Sequence, residues 1–147
     1  VSIEDIIARL RQSGYKITPQ RVAIIKTVVE SSELLTPAAI YEKVHQAHPE
    51  VGEVTVYRTL NILSELRLVC IVHTGENIQS YISRPSGHHD HLICSKCGKV
   101  VNFTGCTLSN LEKRLISETG FKIDEHRLDF FGECSECSDR VTLDLRK

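Results

Sequence analysis

The densest chemistry in the chain lies in the stretch HHDHLICSKCGKV, from His88 to Val100. Three histidines, an aspartate and two cysteines fall between His88 and Cys97, and these are side-chain types that bind transition metals well. Cys94-x-x-Cys97 is answered by Cys134-x-x-Cys137 after thirty-six intervening residues. Four thiolates suit tetrahedral zinc, and by closing all four positions they point to a structural Zn(II) rather than a catalytic one. Gly98, just after the first pair, allows a tight turn that aims backbone amides at the sulfurs. Because the gap is longer than in a compact zinc ribbon, the metal would tie two distant segments together. A redox thiol pair or a reactive cysteine is the competing chemistry.

The histidines are left over once the four sulfurs are assigned. In an extended segment alternate residues point the same way, so His89 and His91 share one side while His88 and Asp90 share the other. One segment could therefore serve two sites. The competing assignment is a group of surface histidines ahead of a strand.

The elements that must position these groups are written in the flanking sequence. KVVNF reads as a strand and TLSNLEKRLISETG as a helix, with Thr107 as its cap, Leu108, Leu111 and Leu115 inward, and Gly120 as its stop. FKIDEHRLDFF then reads as a strand returning to the second cysteine pair. A segment of about 60 residues has little core of its own, so both a metal and a dimer partner are expected.

The N-terminal half carries a different pattern. IEDIIARLRQSG predicts a helix ending near Gly14. Thr18-Pro19 and Thr36-Pro37 each combine an N-cap with a proline in the first turn, predicting two further helices. Their inner faces are expected at Val22, Ile25 and Val29, and at Ile40 and Val44. VTVYRTLNILSEL places Val56, Leu60 and Leu63 inward, leaving Thr55, Tyr57, Arg58 and Asn61 on flanking or outer positions, where such residues can touch phosphates and base edges. LVCIVHTGENIQSYIS then reads as two strands around TGEN, the wing of a winged helix-turn-helix. Arg9, Arg11, Lys16, Arg21 and Lys26 form an acid-free basic run between Ile6 and Val29, which is either a solvated helix face or a phosphate-binding one.

Composition narrows the classes. A chain of 147 residues with 41% hydrophobic and 25% charged residues is globular rather than disordered, and its net charge of -1 selects no partner by bulk attraction. Since no apolar run approaches the roughly 18–20 residues a membrane helix needs, and no secretion signal is evident, a cytoplasmic protein is expected. In a reducing compartment six cysteines favour metal binding or thiol chemistry over a disulfide framework.

Taken together, YKITPQR, VTVYRTL, HHDHLICSKCGKV and DFFGECSEC resemble, in order and over nearly the whole length, the motifs of the ferric uptake regulator (Fur) family of metal-sensing repressors, with features of its zinc uptake regulator branch. The resemblance implies an α+β protein. Residues 1–84 would form a winged helix-turn-helix DNA-binding domain, 85–90 a hinge, and 91–147 a small α/β dimerisation domain holding the structural zinc. It further implies a homodimer on a palindromic double-stranded DNA operator, with neither a membrane nor a small-molecule substrate as partner. By that likeness Lys16 would enter a minor groove, Arg21 and Arg58 would meet phosphates, and Tyr57 would touch base methyls.

The family's inter-domain regulatory site is altered here. Leu34 stands where the family places a histidine, and Ile82 and Asn102 stand where it places acids. His89 and His91 remain, and Cys70 occupies a position at which zinc-responsive members place a ligand. Cys70, His89 and His91 would make a thiolate–imidazole site favouring Zn(II), with Fe(II) or Mn(II) as the alternative ion. His73, Cys106 or water could supply a fourth ligand, and the competing role for Cys70 is core packing. A further metal set would comprise His88, Asp90 and His126, with Glu112 replacing the family's glutamate, whose position holds Ser109.

The function expected is a metal-responsive repressor controlling metal uptake and homeostasis genes, with zinc as the sensed metal. Iron or peroxide sensing is the alternative within the family, and a structural zinc module mediating protein interactions is the alternative outside it. An enzyme is not expected. The chain lacks the His-x-Glu and Pro-Cys-x-x-Cys elements of zinc deaminases and the His-Glu-x-x-His of zinc hydrolases.

Overall fold

The computed structural model describes residues 1–75 and 77–138, and the chain separates into two units, Val1–Ser86 and a second beginning at Gly87. The class is α+β. Among the described residues no helix is long and apolar enough to cross a membrane.

The first unit runs α1 (Ile3–Gln12), α2 (Pro19–Val29), α3 (Pro37–Ala47), α4 (Glu53–Glu65), β1 (Val69–Thr74) and β2 (Ile78–Ser83). Its helix starts are set by side-chain caps. Ser2 and Asp5 form a reciprocal capping box on α1, while Thr18 Oγ1 accepts from the Arg21 amide at 3.2 Å and Thr36 Oγ1 from the Ala39 amide at 3.2 Å. Each satisfies an amide that the helix itself leaves unbonded. α4 ends at Leu66, and Arg67 turns the chain with a φ of 54° into β1. β1 and β2 pair antiparallel with Cys70 opposite Ile82, and Leu35 adds a single bridge to Tyr81 with amide-to-carbonyl distances of 2.9 and 2.8 Å. This is a helix-turn-helix with a two-stranded wing.

Ile6, Leu10, Ile24, Ile25, Val28, Ile40, Val56, Leu60 and Leu63 are fully buried in this unit's core. Each such side chain contributes roughly 1.5–3 kcal/mol of transfer free energy. The inner stripe of α4 is as expected, with Thr59 added. The face of α2 is not: Ile24, Ile25 and Val28 are buried, while Val22 and Val29 flank them half-buried. α2 is central, packing on α1, α3, α4 and β2, so its burial is decided by several neighbours rather than by one amphipathic stripe.

The second unit contains β3 (Asp90–Cys94), β4 (Val100–Phe103), α5 (Ser109–Thr119) and β5 (Asp129–Gly132). β3 is the central strand, antiparallel to β4 and parallel to β5. The β3–β4 connection is the first cysteine knuckle, where Gly98 at φ 75° lets its amide bond the Cys94 carbonyl at 2.9 Å.

Three expectations are corrected in this unit. Thr107 does not cap α5: Leu108 occupies the N-cap position without a side-chain bond. Leu111 and Leu115 are 39% and 38% exposed rather than inward, and α5 buries no residue at all. The strand expected from Phe121 forms only over Asp129–Gly132, because a strand needs a partner and the ladder with β3 begins at Leu128, whose carbonyl takes the His91 amide at 3.0 Å. Of this unit's described hydrophobic residues only Ile93 and Cys94 are buried. So thin a core requires other support.

Candidate metal centres and nucleic-acid face

The two cysteine knuckles converge. The sulfurs of Cys94, Cys97, Cys134 and Cys137 all lie within 4.8 Å of one another, and Cys97 Sγ is 3.7 Å from Cys134 Sγ. Tetrahedral zinc with bonds near 2.3 Å spaces its sulfurs by about 3.8 Å. β3 and β5 bring the knuckles together, with the Ser95 amide bonding the Gly132 carbonyl at 2.7 Å and the Cys134 amide reaching Cys94 Sγ at 3.3 Å. Lys96–Glu133 at 3.1 Å and Lys99–Glu136 at 2.9 Å tie them on the outside.

The electrostatics fit a cation at the centre. The amides of Cys134 and Cys97 hold the Cys94 thiol down to about 6, making it a thiolate at neutral pH. Once one sulfur is charged its neighbours resist ionising. Cys137 is pushed up to about 12, chiefly by the Cys134 and Cys97 sulfurs and then by burial. At Cys97 the Lys99 amide pulls the thiol down, but the Cys94 sulfur and desolvation outweigh it and the net shift is upward. Four sulfurs this close are compatible as thiolates only around a multivalent cation. None of the six cysteines is in a disulfide.

β3 and the residues before it separate the histidines by side, as strand alternation requires. His89 and His91 face each other edge to face with ring centroids 5.1 Å apart, while His88 Nε2 lies 3.4 Å from Asp90 Oδ2. His91 is 2% exposed, and its Nδ1 is 2.8 Å from Asp129 Oδ1 on the neighbouring strand. The carboxylate fixes the tautomer that keeps the proton on Nδ1, so the buried Nε2 presents a lone pair and has no partner. His89 Nδ1 is likewise 3.0 Å from the Gly87 carbonyl.

On the other side, His126 Nδ1 is 2.6 Å from Glu112 Oε1, leaving its solvent-shielded Nε2 without a partner. Asp90, fully buried, accepts the Leu128 amide on Oδ1 at 3.2 Å and has no hydrogen bond on Oδ2. Cys106 joins this group: ligand atoms of His88, Asp90, Cys106 and His126 all lie within 4.8 Å of one another. Glu112 stands one layer back, bonded to a ligand rather than among them. Cys70, in the first unit, is buried on β1.

In the first unit, α4 turns Tyr57, Arg58 and Asn61 to solvent, with Tyr57 51% exposed and Thr55 half-buried. Lys16 is exposed on the loop before α2. Arg21 is engaged within the protein: its Nη1 donates to the Lys16 carbonyl and its guanidinium lies 6.0 Å from the Tyr15 ring centroid. It therefore braces the loop that carries Lys16.

Residues 12–131 match the model of the ferric uptake regulator family. The chain belongs to that family. It is 37% identical over 142 residues to the ferric uptake regulation protein of Campylobacter jejuni, covering 95% of this chain and 90% of that one. It is 32% identical over 138 residues to the peroxide-responsive repressor PerR of Staphylococcus aureus, covering 94% and 93%. Among solved structures, the Helicobacter pylori ferric uptake regulator, with three functional metal binding sites, superposes with a TM-score of 0.75 at 27% identity over 97% of both chains. A zinc-bound manganese uptake regulator superposes at 0.67 with 25% identity over 91% and 99%.

This Fur-family chain is thus a metal-responsive, DNA-binding regulator of a family of repressors rather than enzymes. Its relatives carry iron, peroxide and manganese in their names, so kinship alone does not select a branch. The sequence alone offers Cys106 only as a fourth ligand to Cys70, His89 and His91, whereas its sulfur lies with His88, Asp90 and His126, and it does not single out Asp129 behind His91 in this Fur-family chain. The one available signal for Asp129 was its polarity in an otherwise apolar LDFF run.

Proposed function

We propose that this protein is a zinc-responsive repressor that binds a double-stranded DNA operator as a homodimer when its sensory site is loaded. The observation that carries the reading is His91: a buried imidazole, aligned by Asp129, with an unpartnered Nε2 beside a second histidine. Cys70 is the proposed sulfur ligand, completing with His89 and His91 a set that favours Zn(II) over Fe(II). Apolar Leu34 and Ile82 and neutral Asn102 replace one histidine and two acids that the family's iron site would draw on. The four cysteines hold the structural zinc. Residues 1–84 are the DNA-binding domain, 85–90 a hinge and 91–147 the dimerisation domain, acting in the cytoplasm. Lys16, Arg21, Thr55, Tyr57 and Arg58 are the proposed DNA contacts, with Arg21 placing Lys16 as well as meeting phosphate.

A second reading, iron or peroxide sensing, is favoured by the names of the relatives. One experiment separates the two. Loosely held metal is stripped with a mild chelator, and Zn(II), Fe(II) and Mn(II) are titrated anaerobically at fixed salt against a palindromic operator. Fixed salt matters because phosphate contacts alone make affinity ionic-strength dependent. Restoration by zinc at low free concentration supports the zinc reading; restoration by iron or manganese and not by zinc overturns it.

The dimer is proposed on the open face of the second unit's sheet. Val101, Leu92 and Phe130 are direct cross-strand neighbours and are 49%, 49% and 50% exposed. Three adjacent half-exposed apolar side chains on one sheet face mark an interaction surface. Phe130→Asp is expected to make the protein monomeric in sedimentation, since an unpaired buried charge costs about 3 kcal/mol or more, roughly a hundredfold in dissociation constant. A variant that stays dimeric at micromolar concentration places the interface elsewhere.

A further inference from the structure

We infer that Asn61 is a specificity-determining residue that reads an adenine of the operator, as the last member of a stripe along α4 formed by Val54, Tyr57, Arg58 and Asn61. Asn61 takes this role only if α4 faces DNA, as proposed above. The stripe's residues fall at i, i+3, i+4 and i+7, on the side of the helix opposite the buried Val56, Thr59, Leu60 and Leu63. The same spacing lets the recognition helix of a homeodomain meet base edges in a major groove. From Tyr57 to Asn61 the helix rises about 6 Å, close to two base-pair steps of roughly 3.4 Å.

The fold itself makes little use of these side chains. Val54 is 62% exposed and Tyr57 51%, so the face carries open apolar surface where a merely solvated helix carries charge. Asn61 is exposed in mid-helix, where asparagine is a poor helix former. Such a residue often turns its side chain onto nearby backbone, but among the described residues no hydrogen bond occupies the Asn61 amide. Its carbonyl and amino groups are both free, and they match the N6 amino group and N7 of adenine as a bidentate pair. Exposed Glu65 follows one turn on, and phosphate repels its carboxylate. That charge ends the reading surface at Asn61.

The test uses the full chain loaded with whichever of Zn(II), Fe(II) and Mn(II) restores operator binding, and a pool of duplexes randomised across the binding site. Wild type is expected to select an adenine in each half-site whose preference Asn61→Ala lowers by about 5–150-fold, with the other positions unchanged. 7-Deazaadenine at that position, which replaces the N7 acceptor by C–H, should weaken wild type and leave Asn61→Ala indifferent. The melting temperature of Asn61→Ala should hold or rise, since alanine is the better helix former. Uniform weakening at every sequence would assign Asn61 to phosphate, and weakening that tracks a lowered melting temperature would assign it to the fold. Either result overturns the inference, as does unchanged selection. Arg58→Ala, run in parallel, keeps the two readings apart. If it loses affinity across the pool while Asn61→Ala selects as wild type does, α4 still faces DNA and only the adenine assignment falls. If Arg58→Ala binds as wild type does, the α4 reading falls and the role of Asn61 with it.

Discussion

Cys134→Ser is expected to release the structural zinc and melt the second unit while the first stays folded. The second unit buries only Ile93 and Cys94 among its described hydrophobic residues, and its helix α5 buries none. At roughly 1.5–3 kcal/mol per buried side chain, this core cannot offset the ordering of a three-stranded sheet. Structural zinc contributes apparent binding energies of about 10–16 kcal/mol, enough to reverse that balance. The first unit has its own core of Ile, Leu and Val from four helices and does not need the ion. Amide exchange should therefore lose protection over β3, β4 and β5 and retain it over α1 to α4, with native mass spectrometry reporting one zinc fewer per chain. Retained protection in the zinc-free variant would show that packing, not metal, holds the sheet.

The same site predicts a direction with pH. Zinc binds the deprotonated thiols, so its apparent affinity rises with pH and falls as protons compete. Cys94, held at about 6, is already ionised at neutral pH, whereas Cys137, near 12 without metal, must give up its proton on loading. Zinc uptake at pH 7 should release a full proton from Cys137 and little from Cys94. Below about 6 Cys94 is protonated in the metal-free protein as well, so the apparent zinc affinity falls more steeply with acidification there.

What could be read in the sequence and what could not divide along one physical line. Signals carried by neighbouring residues were legible: Thr18 and Thr36 cap their helices, Val56, Leu60 and Leu63 turn inward, and the alternation from His88 to His91 sorts the histidines to opposite sides. The paired cysteines were legible because four thiols in two identical spacings have few other uses. Facts decided by distant partners were not. Ile24 and Val28 are buried because α2 sits among other elements, whereas Leu111 and Leu115 stay 39% and 38% exposed because, among the described residues, none closes over them. Cys106 meets His88 and His126 through chain reversals that no local pattern encodes. The resemblance offers Glu112 as the replacement for the family's glutamate, one helical turn from Ser109, but only the geometry places it behind His126 rather than beside it as a ligand.

His91→Ala should abolish the metal response of DNA binding, and Asp129→Asn should grade it. To move a two-state regulator from one part in a hundred active to ninety-nine, a ligand must prefer the active state by about 10,000-fold, or 5.5 kcal/mol. With three protein ligands proposed, removal of one takes away more differential affinity than such a switch can spare. The metal-free affinity for the operator should stay unchanged, because the α4 surface of Tyr57 and Arg58 belongs to a separately folded core. Asp129 would act through His91 rather than as a ligand, since its Oδ1 lies 2.8 Å from His91 Nδ1 and holds the proton there. Its replacement by Asn should raise the half-saturating zinc concentration by about 10–100-fold without removing the response. Cys70→Ser should behave like His91→Ala, with its melting temperature preserved. Should Cys70→Ser melt early and keep its metal response, Cys70 is a packing residue opposite Ile82 in the wing, and the sulfur-based argument for zinc over iron falls with it.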